Sequence, residues 1–173
     1  ELIEHQFVRE VGLNLTGPGR PAVLLELNPA AGCIVSGEIG VDFISVICAN
    51  FAVEVIWRHK ESTGRDMGQP AIMDRTLALL RQAIDAGRAT GSPLLGLAVG
   101  VPGLVDQVSG DLLFAPNMGW RDVPLRTILR ESFEAPVFVD NEANMAALGE
   151  YYFGAAQGHD EVLYISAGVG LGG

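Results

Sequence analysis

The amino-acid sequence predicts an α/β fold, and three observations support this prediction. Three apolar, strand-like segments follow one another closely, at CIVSGEIG, FISVICA and VEVIWRHK. An apolar stripe at helical spacing comes next, formed by Met73, Leu77, Leu80 and Ile84. The segment from Leu94 to Val101 is apolar throughout, which is typical of a strand buried on both faces of a sheet.

The boundaries of the remaining elements follow from turn and capping signals. Pro70 suits the first position of the first helix, and either Gly87 or Gly91 can end that helix. After the buried strand, the segment LVDQVSGDLLF predicts a small hairpin. The rest of the chain predicts a helix from about Val123 to Phe133, a strand at Val137 to Val139, a third helix opening with DNEAN, and a last strand at Val162 to Ser166.

This order of elements predicts a ribonuclease-H-like lobe. Three strands, a helix, and then strands alternating with helices form the half-unit of sugar kinases and actin-like ATPases. The polar residues Asp140 to Asn144 lie where a strand ends and a helix begins, a common place for an α/β protein to bind a polar ligand. Glu142 in that stretch could catalyse, bind a ligand, or serve as a first-turn acid favoured by the helix dipole.

Composition and charge limit the function classes. A chain of 173 residues with 49% hydrophobic content can bury a core, and its length suggests one domain or slightly more. The formal net charge of -10 argues against a nucleic-acid surface over most of the chain. The longest apolar run, from Leu94 to Val105, is broken by glycines and a proline and is too short to span a bilayer, and no signal peptide precedes it. We therefore expect a cytoplasmic protein without a membrane partner.

Cysteine usage gives no sign of a metal site. Cys33 and Cys48 lie in apolar, strand-like segments and lack metal-ligand spacing, so we expect buried, reduced thiols. The three histidines are scattered along the sequence and form no metal-binding pattern. The sequence thus predicts neither a metal nor a cofactor for these residues.

A separate β-hairpin is predicted within residues 1–28. VREVG and RPAVLLEL read as two strands joined by LNLTGPG, a loop rich in turn formers. The hairpin is either an ordinary one or the wing of a winged helix-turn-helix, in which Arg9 and Arg20 would contact DNA phosphates or the minor groove. Four glutamates outnumber these two arginines, so the basic surface expected of a DNA-binding element is missing here.

Three longer motifs carry a family resemblance. LAVGVPGLVDQVSGDLLFAPNMGWRDVPL, VFVDNEANMAALGEYYFGAA and LYISAGVGLGG resemble, in order and spacing, the motifs of the ROK family of bacterial sugar kinases and sugar-responsive repressors. The segment LIEHQFVREVGLNLTGPGRPAVLLELNPAAG is similar to what precedes this domain in the repressor branch, of the xylose-repressor type. The resemblance therefore implies that residues 1–28 are the wing end of a winged helix-turn-helix domain and that residues 29–173 are the N-terminal lobe of the sugar-binding domain. It also implies a fragment whose second lobe, with a zinc site, lies outside these residues.

The resemblance implies two phosphate loops, and this chain departs from the kinase pattern in both. Kinases of the family carry Asp-Ile-Gly-Gly-Thr, whereas this chain has Glu38, Gly40 and Asp42 at the first, third and fifth positions of EIGVD. An acid at the fifth position would repel a triphosphate. The second loop, Gly-Thr-Gly in kinases, is Gly168-Val169-Gly170 here and lacks the hydroxyl. A glycine-rich loop of this kind is also compatible with a simple packing turn.

The resemblance places Glu142 at the position of the kinase base, which is an Asp in the kinases. The extra methylene moves the carboxylate, and a misplacement of about 1 Å can cost roughly a hundredfold in rate. Glu142 and Asn141 can still hydrogen-bond to sugar hydroxyls. By the same resemblance Pro102, Gly103 and Asn117 lie beside the sugar cleft, although each also suits ordinary loop structure.

These departures favour a regulator over an enzyme. We expect a sugar-responsive transcriptional repressor of carbohydrate metabolism genes that binds a small sugar effector and operator DNA and forms a homodimer or homotetramer. In this interpretation no residue of the chain is catalytic. The alternative is an ATP-dependent sugar kinase of the glucokinase or fructokinase type that tolerates Glu as its base, and a third possibility is an interaction protein that kept only the fold.

Overall fold

The computed structural model describes residues 1–14, 21–64 and 67–173, and the order of strands and helices along them largely follows the sequence prediction. The strands are β1 (Val8–Asn14), β2 (Ala22–Leu27), β3 (Cys33–Ile39), β4 (Phe43–Asn50), β5 (Val55–Ser62), β6 (Leu94–Val101), β7 (Leu104–Val105), β8 (Leu112–Ala115), β9 (Trp120–Val123), β10 (Val137–Asn141), β11 (Ser166–Ala167) and β12 (Leu171–Gly172). The helices are α1 (Gln69–Ala89), α2 (Leu125–Ser132) and α3 (Glu142–Phe153), with a short 3-10 helix at Pro29–Ala31.

A five-stranded mixed sheet has the ribonuclease-H-like topology that the sequence predicted. Its spatial order is β10-β6-β3-β4-β5, in which β3, β4 and β5 form an antiparallel meander and β6 and β10 run parallel to β3. Parallel neighbours require a crossover, which α1 provides before β6 and α2 before β10. The register pairs Gly100 with both Glu38 and Asp140, so the carboxyl ends of β3, β6 and β10 meet at one edge.

Helix α1 covers one face of this sheet. Its buried stripe includes Leu79, Leu80 and Ile84 and packs with Cys33 and Cys48 of the sheet into one hydrophobic core. Both cysteines are buried free thiols, and burial raises the pKa of Cys48 to about 12, which makes it a poor nucleophile. Within the ranges that the structure describes, no helix combines the length and apolar character needed to cross a membrane.

The ends of two helices differ slightly from the sequence prediction. Pro70 is the second residue of α1, not the first, and the helix passes through Gly87 to end at Ala89. Gly91, with φ of +81°, is the glycine that follows the helix end, because this left-handed conformation stops the helix at little cost only in glycine. Helix α2 begins at Leu125 instead of Val123, since Trp120–Val123 pairs with β8 as the third strand of a small separate sheet, β7-β8-β9.

The predicted strand from Val162 to Ser166 is the clearest correction. Only Ser166–Ala167 is a strand, and it pairs with Leu171–Gly172 alone. No strand of the described ranges lies beside residues 162–165, and Leu163 is 83% exposed. A strand needs the hydrogen bonds of a neighbour, so apolar patterning without a partner leaves this segment irregular.

The predicted hairpin is confirmed as β1 paired antiparallel with β2. Its strands are exposed and join the lobe through a few contacts near Asn28. The Asn28 side chain donates to the Gln6 carbonyl at 2.7 Å and accepts from the Ala30 amide at 3.2 Å, while the ring of Phe7 lies 5.3 Å from that of Phe51. The hairpin is thus tied to the lobe at its base and projects away from it.

Candidate functional site

One cavity of about 380 Å³ lies where the carboxyl ends of β3, β6 and β10 meet, the usual ligand position in open α/β sheets. The fold brings together in its wall residues that are far apart in sequence. The predicted residues among them are Glu38, Gly40, Asp42, Pro102, Gly103, Asn117, Asn141, Glu142, Gly168, Val169 and Gly170. The sequence interpretation missed Phe43 and Ser166, which also line the cavity.

The Asn141 side chain connects the start of α3 to the turn at Gly103. As the N-cap of α3, its Oδ1 accepts from the amides of Ala143 at 2.8 Å and Asn144 at 3.3 Å. Its Nδ2 donates to the Gly103 carbonyl at 2.8 Å. These bonds occupy the side-chain oxygen and leave one amide N–H, so Asn141 can offer a ligand a donor.

The turn after β6 has a conformation that only glycine accommodates. Gly103 has φ of +110°, and a Cβ at this position would lie 2.2 Å from the carbonyl oxygen of Phe114. The turn therefore packs directly against β8, and Asn141 fixes it from the other side. This arrangement sets the position of Pro102 in the cavity wall.

Glu142 is the first residue of α3 and lines the cavity. Its Oε2 atom is buried and has no hydrogen-bond partner among the described residues. The helix dipole favours a carboxylate here. A buried acceptor without a donor is costly, so a hydroxyl donor at this atom would be stabilising.

Glu38, at the end of β3, shares the cavity with Glu142. Burial raises the pKa of Glu38 above its ordinary value; the charge of Lys60 opposes this effect, and the charge of Glu142 adds to it. Glu38 and Glu142 are therefore near enough to repel each other. In the part of the chain that the structure describes, no three His, Cys, Asp or Glu side chains are grouped so that they could hold a metal ion.

The first predicted phosphate loop contains a hydrogen bond and a ring contact between its own residues. The Gly40 amide donates to the Phe43 carbonyl at 2.8 Å, and a Cβ on Gly40 would lie 2.4 Å from Cε1 of the Phe43 ring. The Lys60 ammonium in turn lies 3.9 Å from the centroid of that ring. The Gly40 amide is therefore engaged, and an aromatic ring packs against the loop.

The second glycine-rich loop also uses an amide internally. The Gly168 amide donates to the Gly170 carbonyl at 2.9 Å, which closes the turn between β11 and β12. Asn117 reaches this loop, since its Nδ2 lies 3.1 Å from where a Cβ on Gly170 would be. Val169 is 67% exposed, so an apolar side chain stands where the kinase pattern has a hydroxyl.

Of the two arginines predicted to contact DNA, the structure describes only Arg9. Arg9 forms a cross-strand ion pair with Glu26, with 2.6 Å between Nε and Oε1, and both side chains are about half exposed. Such an exposed pair is weak and can exchange, but it lowers the positive charge of the hairpin. Arg20 lies outside the described residues, so its contact with DNA stays a prediction.

Comparisons with known proteins agree with this geometry. The model of the ROK family matches residues 34–173. A xylose repressor of Caldicellulosiruptor bescii is 37% identical over 172 residues, covering 99% of this chain and 43% of the repressor. A glucokinase of Halalkalibacterium halodurans is 34% identical over 139 residues, covering 80% of this chain and 42% of the enzyme. The chain thus spans less than half the length of these curated relatives.

Solved structures support the same assignment. A ROK family glucokinase from Streptomyces griseus, in complex with glucose and AMPPNP, is 33% identical with a TM-score of 0.67, over 82% of this chain and 43% of the enzyme. A ROK family transcriptional regulator homologous to the E. coli MLC protein has a TM-score of 0.68 at 24% identity, over 88% of this chain and 38% of the regulator, and so supports the fold. Because the family model covers most of the chain and these structures share its topology, the chain belongs to the ROK family.

Proposed function

We propose that this chain is the sugar-sensing lobe of a transcriptional repressor. The sugar binds in the 380 Å³ cavity, and the β1–β2 hairpin belongs to the part that contacts operator DNA. The observation that carries the proposal is the span of similarity. A xylose repressor matches 99% of the chain, which includes the hairpin, whereas a glucokinase matches 139 residues, about the length of the family match at 34–173.

The cavity supports recognition of a polyol. Glu142 provides a carboxylate, Asn117 an amide, and Asn141 one remaining N–H, so hydroxyl groups can both donate and accept. Pro102 and Phe43 add apolar wall, which suits the carbon face of a sugar ring. The names of the repressor relatives make xylose the first sugar to test.

The hairpin supports a role outside the lobe. Its strands pack on no other sheet in the described part of the chain, and its base is fixed by Asn28 and by the contact of Phe7 with Phe51. This is the geometry expected of an element that belongs to a neighbouring domain. We expect the repressor to act as a homodimer or homotetramer, in which the sugar favours one lobe arrangement and thereby changes operator affinity.

The alternative is an ATP-dependent sugar kinase, and one observation favours it. The Streptomyces griseus glucokinase, which shares this fold at 33% identity, was crystallised with glucose and AMPPNP. Against it stand Asp42 in the first loop, the Phe43 ring against Gly40, and Val169 in place of a hydroxyl. We therefore place the kinase second.

The deciding experiment titrates the full-length protein with D-xylose and D-glucose while operator DNA binding is followed by fluorescence anisotropy. Glu142→Gln should weaken the sugar response at least about tenfold, because it removes the charge from an acceptor of sugar hydroxyls. Glu134→Gln, which changes an exposed acid away from the cavity, is the matched control. Sugar-dependent ATP turnover above background would instead establish the kinase, and a protein that neither binds DNA nor responds to sugar would refute the repressor.

A further inference from the structure

Among the described residues, the cavity wall contains acidic side chains and no basic one. Glu38, Asp42 and Glu142 all line it, and none of the described lining residues is a lysine, arginine or histidine. Lys60 is the nearby base that acts on Glu38, but its ammonium lies over the Phe43 ring and its side chain is not part of the wall. A ligand in this cavity therefore meets a negative potential.

Two backbone donors that could offset this charge are also engaged. The Gly40 amide donates to the Phe43 carbonyl and the Gly168 amide donates to the Gly170 carbonyl, so each glycine-rich turn uses one N–H in a hydrogen bond of its own. Phosphate recognition in proteins depends on free backbone N–H groups and basic side chains. The amides of Gly40 and Gly168 are therefore not available to an anion, and Asp42 adds a carboxylate to the same cavity wall.

We propose that Glu38 and Asp42 are specificity residues that make the cavity admit a free sugar and reject its phosphorylated form. This inference rests on the proposed function of the same cavity. A sugar phosphate carries about −1.5 to −2 charge at neutral pH, and bringing it close to carboxylates of the same sign weakens its binding. Hydroxyl groups, in contrast, donate hydrogen bonds to the same carboxylates. The protein accordingly responds to sugar before a kinase has acted on it.

The test compares matched pairs of ligands on the full-length protein by isothermal titration calorimetry. The pairs are D-xylose with D-xylose 1-phosphate, and D-glucose with glucose 6-phosphate. For whichever sugar binds, the phosphate should bind at least about 100-fold more weakly. The ratio of the two dissociation constants should shrink at least about tenfold in the Glu38→Gln/Asp42→Asn double variant and partly in Asp42→Asn alone.

A control variant keeps the charge change but not the location. Asp74→Asn/Asp85→Asn removes two exposed acids of α1 that do not line the cavity, and it should leave the ratio unchanged. Melting curves establish that each variant is folded, and Asp42, exposed in a turn, gives a substitution that the fold tolerates. A phosphate that binds as tightly as the free sugar would overturn the inference while leaving the sugar sensor intact. A ratio unchanged by the double variant would remove Glu38 and Asp42 from the role, and no binding of any sugar would refute the proposed function itself.

Discussion

Replacing Asn141 with alanine should measure how much of the site is held by one side chain. The change removes two bonds from the start of α3, to the amides of Ala143 and Asn144, and the bond to the Gly103 carbonyl. Losing an N-cap side chain costs about 1 kcal/mol, with a range of about 0.5 to 2. Leaving a partly buried carbonyl without its donor costs about 1 to 3 kcal/mol. We therefore expect Asn141→Ala to lower the free energy of unfolding by about 2 to 3 kcal/mol.

A serine at the same position separates the two contributions. Its hydroxyl can still cap α3, but it is too short to reach the Gly103 carbonyl, so Asn141→Ser should keep the cap and lose the tie to the turn. The expected loss is about 1 kcal/mol, roughly half of that for alanine. Gln107→Ala, at an exposed loop position, is a control that should stay within about 0.5 kcal/mol of the unchanged protein.

The assay is urea unfolding followed by far-ultraviolet circular dichroism, with thermal melting as a second measure. For a domain of this size the alanine variant should melt about 4 to 12 °C lower, at about 2 to 4 °C per kcal/mol. The reasoning would be refuted if alanine cost less than about 0.5 kcal/mol, or if serine and alanine cost the same. The first result would mean that neither the cap nor the Gly103 bond contributes measurably, and the second would mean that the cap contributes nothing beyond the Gly103 bond.

Three further predictions concern stability elsewhere in the lobe. Hydrogen bonds from Arg75 lower the pKa of Glu61 to about 2. The pair therefore stabilises the fold above the ordinary pKa of 4.5, and its contribution disappears as pH falls toward 2. Glu61→Gln should flatten that dependence of stability on acid pH by about 1 to 2 kcal/mol, after allowance for the exposure of Arg75. Gly103→Ala should destabilise by more than about 3 kcal/mol in urea unfolding, because its Cβ would meet the Phe114 carbonyl at 2.2 Å in a left-handed turn, and a mild effect would contradict the geometry. Asn28→Ala should speed proteolysis in the hairpin several-fold with little change in the melting of the lobe, and equal cleavage rates would mean that its bonds to Gln6 and Ala30 do not fix the hairpin.

Much of the fold was predictable because its signals are local. The meander of β3, β4 and β5 alternates between tight turns and apolar runs, and α1 carries its stripe at helical spacing. The strand predicted at residues 162–165 was wrong because its formation does not depend on local signals alone. Its apolar pattern is local, but a strand also needs a neighbour, and sequence pattern does not report whether one lies alongside.

The candidate site was predictable in membership but not in detail. Family motifs named residues from Glu38 to Gly170, and the fold places them around one cavity. The state of each hydrogen bond was not visible in the motifs. Most of the hydrogen-bonding capacity of the Asn141 side chain is used by the helix cap and the Gly103 turn, and the Phe43 ring packs on Gly40. Neither contact could be predicted, because both depend on distances between chain segments that only folding sets.

The sequence by itself determined most of the order of strands and helices, the membership in the ROK family, and the departures at Glu38, Asp42, Val169 and Glu142 from the kinase pattern. These are properties of residue type and spacing, which local backbone preferences and burial convert directly into elements. Only the tertiary structure decided that, among the described residues, three carboxylates and no basic side chain line one cavity, and that the Gly40 and Gly168 amides are already bonded. The reason is physical: charge repulsion and hydrogen-bond saturation depend on distances of a few ångströms, and those distances exist only after the carboxyl ends of β3, β6 and β10 have been brought together.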